Sequence, residues 1–191
     1  MKNPWKTLSS RIAYENAWVR VREDSVPRPD GQPGIYGVVE MRPSIGVVAL
    51  NADGQIVLVG QWRYPLGRYS WEIPRGGSMP GESDLEAVAR RELKEEAGVE
   101  AERWQLLCAV DLNNGVTTDV EHLFLATGLR SGNNQPDAEE ELTVRWVPFE
   151  AAVGMIFSGE ITEVCSVAAL LMAARRIVAG DNSQQMLLSY I

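Results

Sequence analysis

The sequence has little of the residue chemistry on which several enzyme classes depend. Histidine occurs once, at His122, inside an apolar strand pattern, so we expect a packed residue and not a Ser-His-Asp or Cys-His site. The two cysteines, Cys108 and Cys165, are far apart and form no CxxC pair, which excludes a disulfide framework. Both lie in apolar surroundings, and we expect buried free thiols in a cytoplasmic protein.

Long apolar runs are also missing. A membrane-spanning helix needs about 18 or more apolar residues in succession, and no stretch of the chain approaches that length. The opening "MKNPWKTLSS" lacks the apolar centre of a signal peptide. We therefore expect no membrane partner.

Basic residues are fewer than acidic ones. The chain carries 18 Lys and Arg against 26 Asp and Glu, a net charge of −8. This balance argues against nucleic acid or an anionic membrane as a partner, because both are themselves negatively charged. A phosphorylated small molecule stays compatible, since a metal ion can bridge carboxylates and phosphate.

The hydrophobic pattern predicts a mixed α and β protein. Residues 10–26 predict a strand, Asp30-Gly31 a turn, and "IYGVVEM" a second strand, together an antiparallel N-terminal hairpin or small sheet. Helices are expected over 83–97, 150–157 and 163–177, and further strands in "SIGVVAL", "QIVLVGQWR", "YSWEI", "WQLLCAVDL", "VEHLFLATGL" and "LTVRWVPF". The strict βαβ alternation of a doubly wound sheet is absent.

The predicted helix that ends at Gly98 is unusually acidic. On a helix, Glu92, Glu95 and Glu96 share one side, where like charges repel each other. A solvated surface explains most isolated runs of this kind. A second explanation is a site for a hard cation such as Mg²⁺, which prefers oxygen ligands.

The residues around the glutamates decide between these interpretations. Arg91 to Val99 fits the pattern Arg-Glu-apolar-x-Glu-Glu-x-Gly-apolar, and "WEIPRGGSMPGE" precedes it. The first stretch resembles the second half of the Nudix box. The second is similar to the segment that leads into the box in Nudix enzymes that cleave ADP-ribose and nucleotide sugars.

The first half of the box departs from the family pattern by one residue. Counting back from Arg91 places Ser83 at the glutamate position and Gly77 at the glycine position. Counting forward from Gly76 reaches Glu82 instead, with one residue too many before Arg91. Either the loop carries an extra residue or Ser83 replaces the glutamate.

The resemblance implies roles for the residues that match the box. Glu92 and Glu96 are expected to bind divalent metal, Mg²⁺ or Mn²⁺, with help from Glu95 and from a backbone carbonyl near Gly76. Arg91 is expected to orient a glutamate. A further acid usually comes from a loop, where Glu140 is the first choice as metal ligand or base and Glu139 the next; Glu141 is the third candidate.

Other residues are expected to meet the substrate. The arginine matching Arg63 contacts phosphates in nucleotide-sugar relatives, and a surface ion pair is the alternative. Glu72 is expected either to touch substrate or metal or to make a structural pair. Asp119 is a possible polar contact, with a turn role as the alternative. Either core packing or stacking on a base is expected for three aromatic residues, Trp62, Tyr64 and Trp71.

We therefore predict an α/β/α Nudix sandwich over residues 43–191 and an N-terminal β appendage over 1–42 that mediates a homodimer. The predicted activity is metal-dependent hydrolysis of a nucleoside diphosphate sugar to a nucleoside monophosphate and a sugar phosphate. The region 112–116 lacks a proline that ADP-ribose enzymes often carry, which weakens ADP-ribose as the expected substrate and leaves GDP- and UDP-sugars open. The alternatives are a nucleoside triphosphate pyrophosphohydrolase, a non-catalytic nucleotide-binding Nudix domain, and a globular protein without a site.

Overall fold

The computed structural model describes residues 3–132 and 141–178. It divides the chain into two compact units. The first unit comprises the chain up to Pro43 together with Asp111–Glu121, and the second comprises Ser44–Val110 and the chain from His122 onward. None of the described helices is both long enough and apolar enough to cross a membrane.

The first unit contains an antiparallel sheet of strands β1 (Ser9–Glu15), β2 (Arg20–Pro27) and β3 (Pro33–Glu40). The single strand expected over residues 10–26 is wrong, because the chain reverses between β1 and β2. The Asn16 side chain accepts hydrogen bonds from the backbone N–H groups of Trp18 and Val19, at 2.9 and 2.8 Å. This local turn interrupts a pattern that otherwise alternates like one strand.

The strands of the second unit form two further sheets among the described residues. Their strands are β4 Ser44–Ala49, β5 Gln55–Arg63, β6 Arg68–Glu72, β7 Arg75–Gly77, β8 Val99–Asp111, β9 Val120–Ser131 and β10 Thr143–Pro148. The order in one sheet is β10-β5-β6, and in the other β7-β4-β9-β8. A short 3-10 helix, Tyr64–Leu66, connects β5 to β6.

The helices are α1 (Leu85–Ala97), α2 (Phe149–Phe157) and α3 (Val164–Val178), within two residues of the predicted bounds. Both α1 and α3 pack against β4, which gives the expected sandwich of helices and sheet. Core residues on α1 are Val88, Ala89 and Leu93, and those on β4 are Ile45, Val47 and Ala49. Burial of these apolar side chains fixes the position of the acidic helix.

Both ends of α1 follow from the sequence. Asp84 precedes the helix, and its carboxylate accepts hydrogen bonds from the N–H groups of Glu86 and Ala87, both at 3.1 Å. This is a standard N-cap. Gly98 ends the helix at a φ of 65°, a left-handed conformation that favours glycine, so the predicted stop is confirmed.

Packing is tight where β5 meets β6. Gly60 lies opposite Trp71, and Trp62 lies opposite Tyr69, so the aromatic side chains share one face of the sheet. Tyr69 and Trp71 pack edge to face at 5.6 Å, and the Arg145 guanidinium covers the Trp71 ring at 4.1 Å. A side chain at position 60 would have to displace this arrangement.

We therefore expect Gly60→Ala to lower the free energy of unfolding by about 1–3 kcal/mol, measured by urea denaturation. Its Cβ would lie 2.5 Å from the Tyr69 hydroxyl and 2.8 Å from the Trp71 ring. Gly154→Ala in α2 is the matched control, because its Cβ would have no neighbour within 4 Å. That variant should be neutral or stabilising by about 0.5–1 kcal/mol. Equal stability of the two variants would contradict the packing argument.

Candidate active site on the acidic helix

The three glutamates of α1 differ in their surroundings. Glu96 is 4% exposed and accepts a hydrogen bond from the Arg75 N–H at 2.9 Å. The Glu92 carboxylate lies against Gly76, and Glu95 is the most exposed of the three, with a side-chain exposure of 40%. Glu92 and Glu96 therefore both meet strand β7, which places them at one edge of the site.

Glycine at position 76 makes room for the Glu92 carboxylate. A Cβ at this position would lie 2.2–2.4 Å from the three carboxylate atoms of Glu92. Strand β7 also pairs with β4, with Gly76 opposite Ile45, so the backbone has a fixed position. The close approach brings the Gly76 backbone and the Glu92 carboxylate together, as the predicted use of both as metal ligands requires.

Arg91 connects the glutamates to the preceding loop. Its Nη1 lies 2.9 Å from a Glu92 carboxylate oxygen and 2.8 Å from one of Glu95. Its Nη2 donates to the Gly77 carbonyl at 3.3 Å and lies 3.4 Å from Glu82. This geometry supports the expected orienting role.

Of the two candidates for the first glutamate position of the box, Ser83 and Glu82, it is Glu82 that the structure places beside Arg91. Its carboxylate accepts a hydrogen bond from the Met79 N–H at 2.7 Å and faces Arg91. The Met79 N–H, and then Arg91, hold the pKa of the Glu82 carboxyl below its usual value. This contact favours the forward count from Gly76, in which the loop before α1 carries the extra residue.

Arg63 and Glu72 form a pair with each other. Arg63 donates from Nε and Nη2 to the two Glu72 oxygens, at 2.9 and 2.6 Å. The Glu72 side chain is 1% exposed, and Arg75 approaches it at 3.8 Å. Burial by itself raises the pKa of the Glu72 carboxyl, but Arg63 and Arg75 outweigh it and hold that pKa below its usual value. The structural pair expected for Glu72 is present.

The remaining predicted residues are less constrained by the structure. Glu139 and Glu140 lie outside the described residues, and Glu141 is exposed. Asp119 belongs to the first unit, where its backbone oxygen accepts a hydrogen bond from Leu112 N–H at 2.9 Å in the turn before β9. The prediction of core packing is wrong for Trp62 and Tyr64, which are 63% and 90% exposed.

The donor set fits a hard divalent cation. The side chains at this edge offer carboxylate oxygens, which Mg²⁺ and Mn²⁺ prefer. In the described part of the chain, however, no three His, Cys, Asp or Glu side chains converge closely enough to hold an ion. Metal binding by Gly76, Glu92, Glu95, Glu96 and Glu140 stays a prediction.

The comparisons with known proteins place the chain in a family. A model of the Nudix domain matches residues 40–165. The chain belongs to the Nudix hydrolase family. A second model, described as the nucleoside diphosphate sugar hydrolase N-terminal domain, matches residues 5–39 of this Nudix hydrolase. Together they confirm the predicted pyrophosphohydrolase of the nucleoside diphosphate sugar type, and members of the family generally need divalent metal ions.

Relatives of this Nudix hydrolase cover most of its length. An ADP-ribose pyrophosphatase of Mycobacterium tuberculosis is 32% identical over 94% of this chain and 87% of its own. An ADP-ribose pyrophosphatase of Bacillus subtilis is 29% identical over 82% of this chain and 85% of its own. A solved structure described as an ADP compounds hydrolase matches with a TM-score of 0.82 at 19% identity, over 93% of this chain and 96% of that one. This last likeness confirms the fold.

We expect Gly76→Ala to weaken metal binding about tenfold or more, because the added Cβ must displace the Glu92 carboxylate. The measurement is the Mn²⁺ concentration that gives half of the metal-induced rise in melting temperature. Gly77→Ala is the matched control on the neighbouring residue, where a Cβ would have no neighbour within 4 Å. A metal requirement raised equally in both variants would contradict a specific contact between position 76 and Glu92.

Proposed function

We propose that the protein hydrolyses the pyrophosphate linkage of a nucleoside diphosphate sugar with Mg²⁺ as its metal, and that ADP-ribose is the first substrate to test. The observation that carries the proposal is the placement of Glu92 and Glu96 against strand β7 in a Nudix hydrolase. Two relatives are ADP-ribose pyrophosphatases, which favours ADP-ribose. The missing proline in region 112–116 keeps GDP- and UDP-sugars in the panel.

The residues of the helix and its neighbouring strand supply the metal ligands in this proposal. Glu92, Glu95 and Glu96, the Gly76 carbonyl and Glu140 would hold divalent ions. Such ions, when bound, stabilise the negative charge that develops on the phosphates. Arg91 keeps Glu92 and Glu95 in position through the contacts described above.

Arg63 supplies the phosphate contact. In this proposal Glu72 takes up the Nε–H and one N–H of Nη2, and the N–H groups of Nη1 meet a phosphate oxygen. Glu72 thereby fixes the direction of the guanidinium, and the bidentate pair limits the motion of a long side chain. In the same proposal, Glu139 or Glu140 accepts the proton of the attacking water and Asp119 contacts the substrate.

The first test is turnover of ADP-ribose, GDP- and UDP-sugars and nucleoside triphosphates with Mg²⁺, for the wild type and Glu96→Gln. We expect a nucleoside monophosphate and a sugar phosphate as products, and a loss of about a hundredfold or more in kcat for Glu96→Gln. Glu86→Gln is the matched control on the first turn of the same helix, where Glu86 is paired with Arg90.

The other outcomes are distinct. Release of inorganic pyrophosphate from triphosphates, without turnover of any nucleotide sugar, would establish the triphosphate pyrophosphohydrolase instead. Binding of nucleotide sugars without turnover would establish a non-catalytic domain. Equal losses in the two glutamine variants would contradict a specific role for Glu96.

The proposal extends to a homodimer formed through the N-terminal element, residues 1–42, of a cytoplasmic protein. Large apolar side chains are exposed on the first unit at Trp5, Leu8, Ile12, Tyr14, Trp18 and Ile35, with exposures between 48% and 74%. An apolar surface of this kind favours a protein contact. Residues 43–191 then form the catalytic domain.

We expect light scattering to give twice the chain mass for the wild type and a shift toward the monomer for Ile35→Glu, because a charge would have to be buried in the contact. Ile35 is 71% exposed, so the substitution should leave the fold intact. Phe157→Glu is the control, since Phe157 is 80% exposed at the end of α2 in the other unit. A monomeric wild type, or an Ile35→Glu variant that keeps the dimer mass, would contradict the proposed interface.

A further inference from the structure

Glu163, the residue before helix α3, makes two sets of contacts. The first set is a cap, because one Glu163 oxygen accepts from the Cys165 N–H at 2.9 Å. The other accepts from the Ser166 N–H at 2.6 Å and from the Ser166 hydroxyl at 2.8 Å. These bonds satisfy backbone donors that have no partner inside a helix. The Glu163 side chain is 13% exposed, so it is held within the protein and not in solvent.

The second set of contacts leads away from the helix. The oxygen that accepts from Cys165 also lies 3.5 Å from Nη1 of Arg75. Two residues earlier in the chain, the Ile73 N–H donates to the Ser166 hydroxyl at 3.0 Å. The N-terminal end of α3 is therefore bound at two points, to Ile73 in the connection between β6 and β7 and to Arg75 at the start of β7.

The start of β7 also contacts the acidic helix α1. The Arg75 N–H donates to Glu96 at 2.9 Å, and the next residue, Gly76, lies against the Glu92 carboxylate. The Arg75 side chain also lies 3.8 Å from Glu72, the partner of Arg63. A displacement of Arg75 would thus reach two of the proposed metal ligands and the proposed phosphate contact.

The identity of the capping residue indicates more than a cap. Asp, Asn and Ser are the preferred N-cap residues, and a glutamate is not among them. A glutamate has one more methylene than an aspartate, and here its oxygen contacts the helix N–H groups and Arg75 at the same time. The capping task alone does not require that reach or a negative charge.

We infer that Glu163 is a positioning residue for the hydrolytic reaction, which acts through Arg75 on the segment that orients Glu92 and Glu96. This inference rests on the proposed function. In this inference Glu163 acts without touching the substrate or a metal. Its charge fixes the Arg75 guanidinium, and the backbone of Arg75 and Gly76 follows.

The test is a double-mutant cycle between Glu163→Asn and Arg75→Gln. Asparagine keeps a good helix cap and removes the charge, so the melting temperature should stay within a few degrees. We expect Glu163→Asn to lower kcat about tenfold with KM within about twofold, and to raise the Mn²⁺ concentration for half of the melting shift about tenfold. In the Arg75→Gln background, Glu163→Asn should add less than about twofold to either value.

Two further variants keep the test decisive. Glu163→Gln has the original length without the charge and replaces Glu163→Asn if that variant does not fold. Glu160→Gln removes a charge just before α3 that pairs with Arg145 and not with Arg75, and it should leave kcat and the Mn²⁺ requirement unchanged.

Additive effects of Glu163→Asn and Arg75→Gln would overturn the inference, as would an unchanged Mn²⁺ requirement in Glu163→Asn. A loss of kcat that only follows the melting temperature would also overturn it, because a simple cap explains that result. Failure of the proposed function is recognised separately, by a wild type that turns over no substrate of the panel. The melting shift with Mn²⁺ then still measures the coupling of Glu163 to Arg75 without substrate.

Discussion

Two carboxylates with almost no exposure to water, Glu72 and Glu96, impose the constraint on which the site depends. A buried negative charge is costly unless cations or N–H groups surround it. Glu72 pairs with the Arg63 guanidinium, and Glu96 accepts a hydrogen bond from the Arg75 N–H. Arg75 contributes to both, through its side chain and its backbone. The start of β7 is therefore held in place both by these charged contacts and by strand pairing.

The sequence was informative where local rules dominate. Helix α1 could be predicted because its helix-forming residues and terminal glycine specify it without tertiary contacts. The Nudix-box pattern that includes Arg91 and Glu96 could be recognised because the spacing of residues along one helix is a local property. The apolar runs of β4 and β5 likewise predicted buried strands.

Contacts between distant segments could not be predicted in this way. Arg63 and Glu72 were each expected near the site, but no local rule states that they pair. Glu163 gave no sequence signal, since an acid before a helix is common and its contact with Arg75 depends on how α3 packs. The turn at Asn16 was missed for a different reason, because one side-chain hydrogen-bonding pattern overrode strand alternation.

The glycine at position 76 and the glutamates of α1 constrain each other. A larger residue at 76 would separate β7 from Glu92, and a displaced helix would remove the acceptor of the Arg75 N–H. The apolar side of α1 fixes the helix against β4, so its acidic side has little freedom to adjust. Repulsion among the glutamates therefore has to be relieved in place, first by Arg91 and, in the proposed reaction, by divalent ions. The charge arrangement that weakens the isolated helix is thus the one that, in the proposed reaction, favours binding of a divalent metal ion.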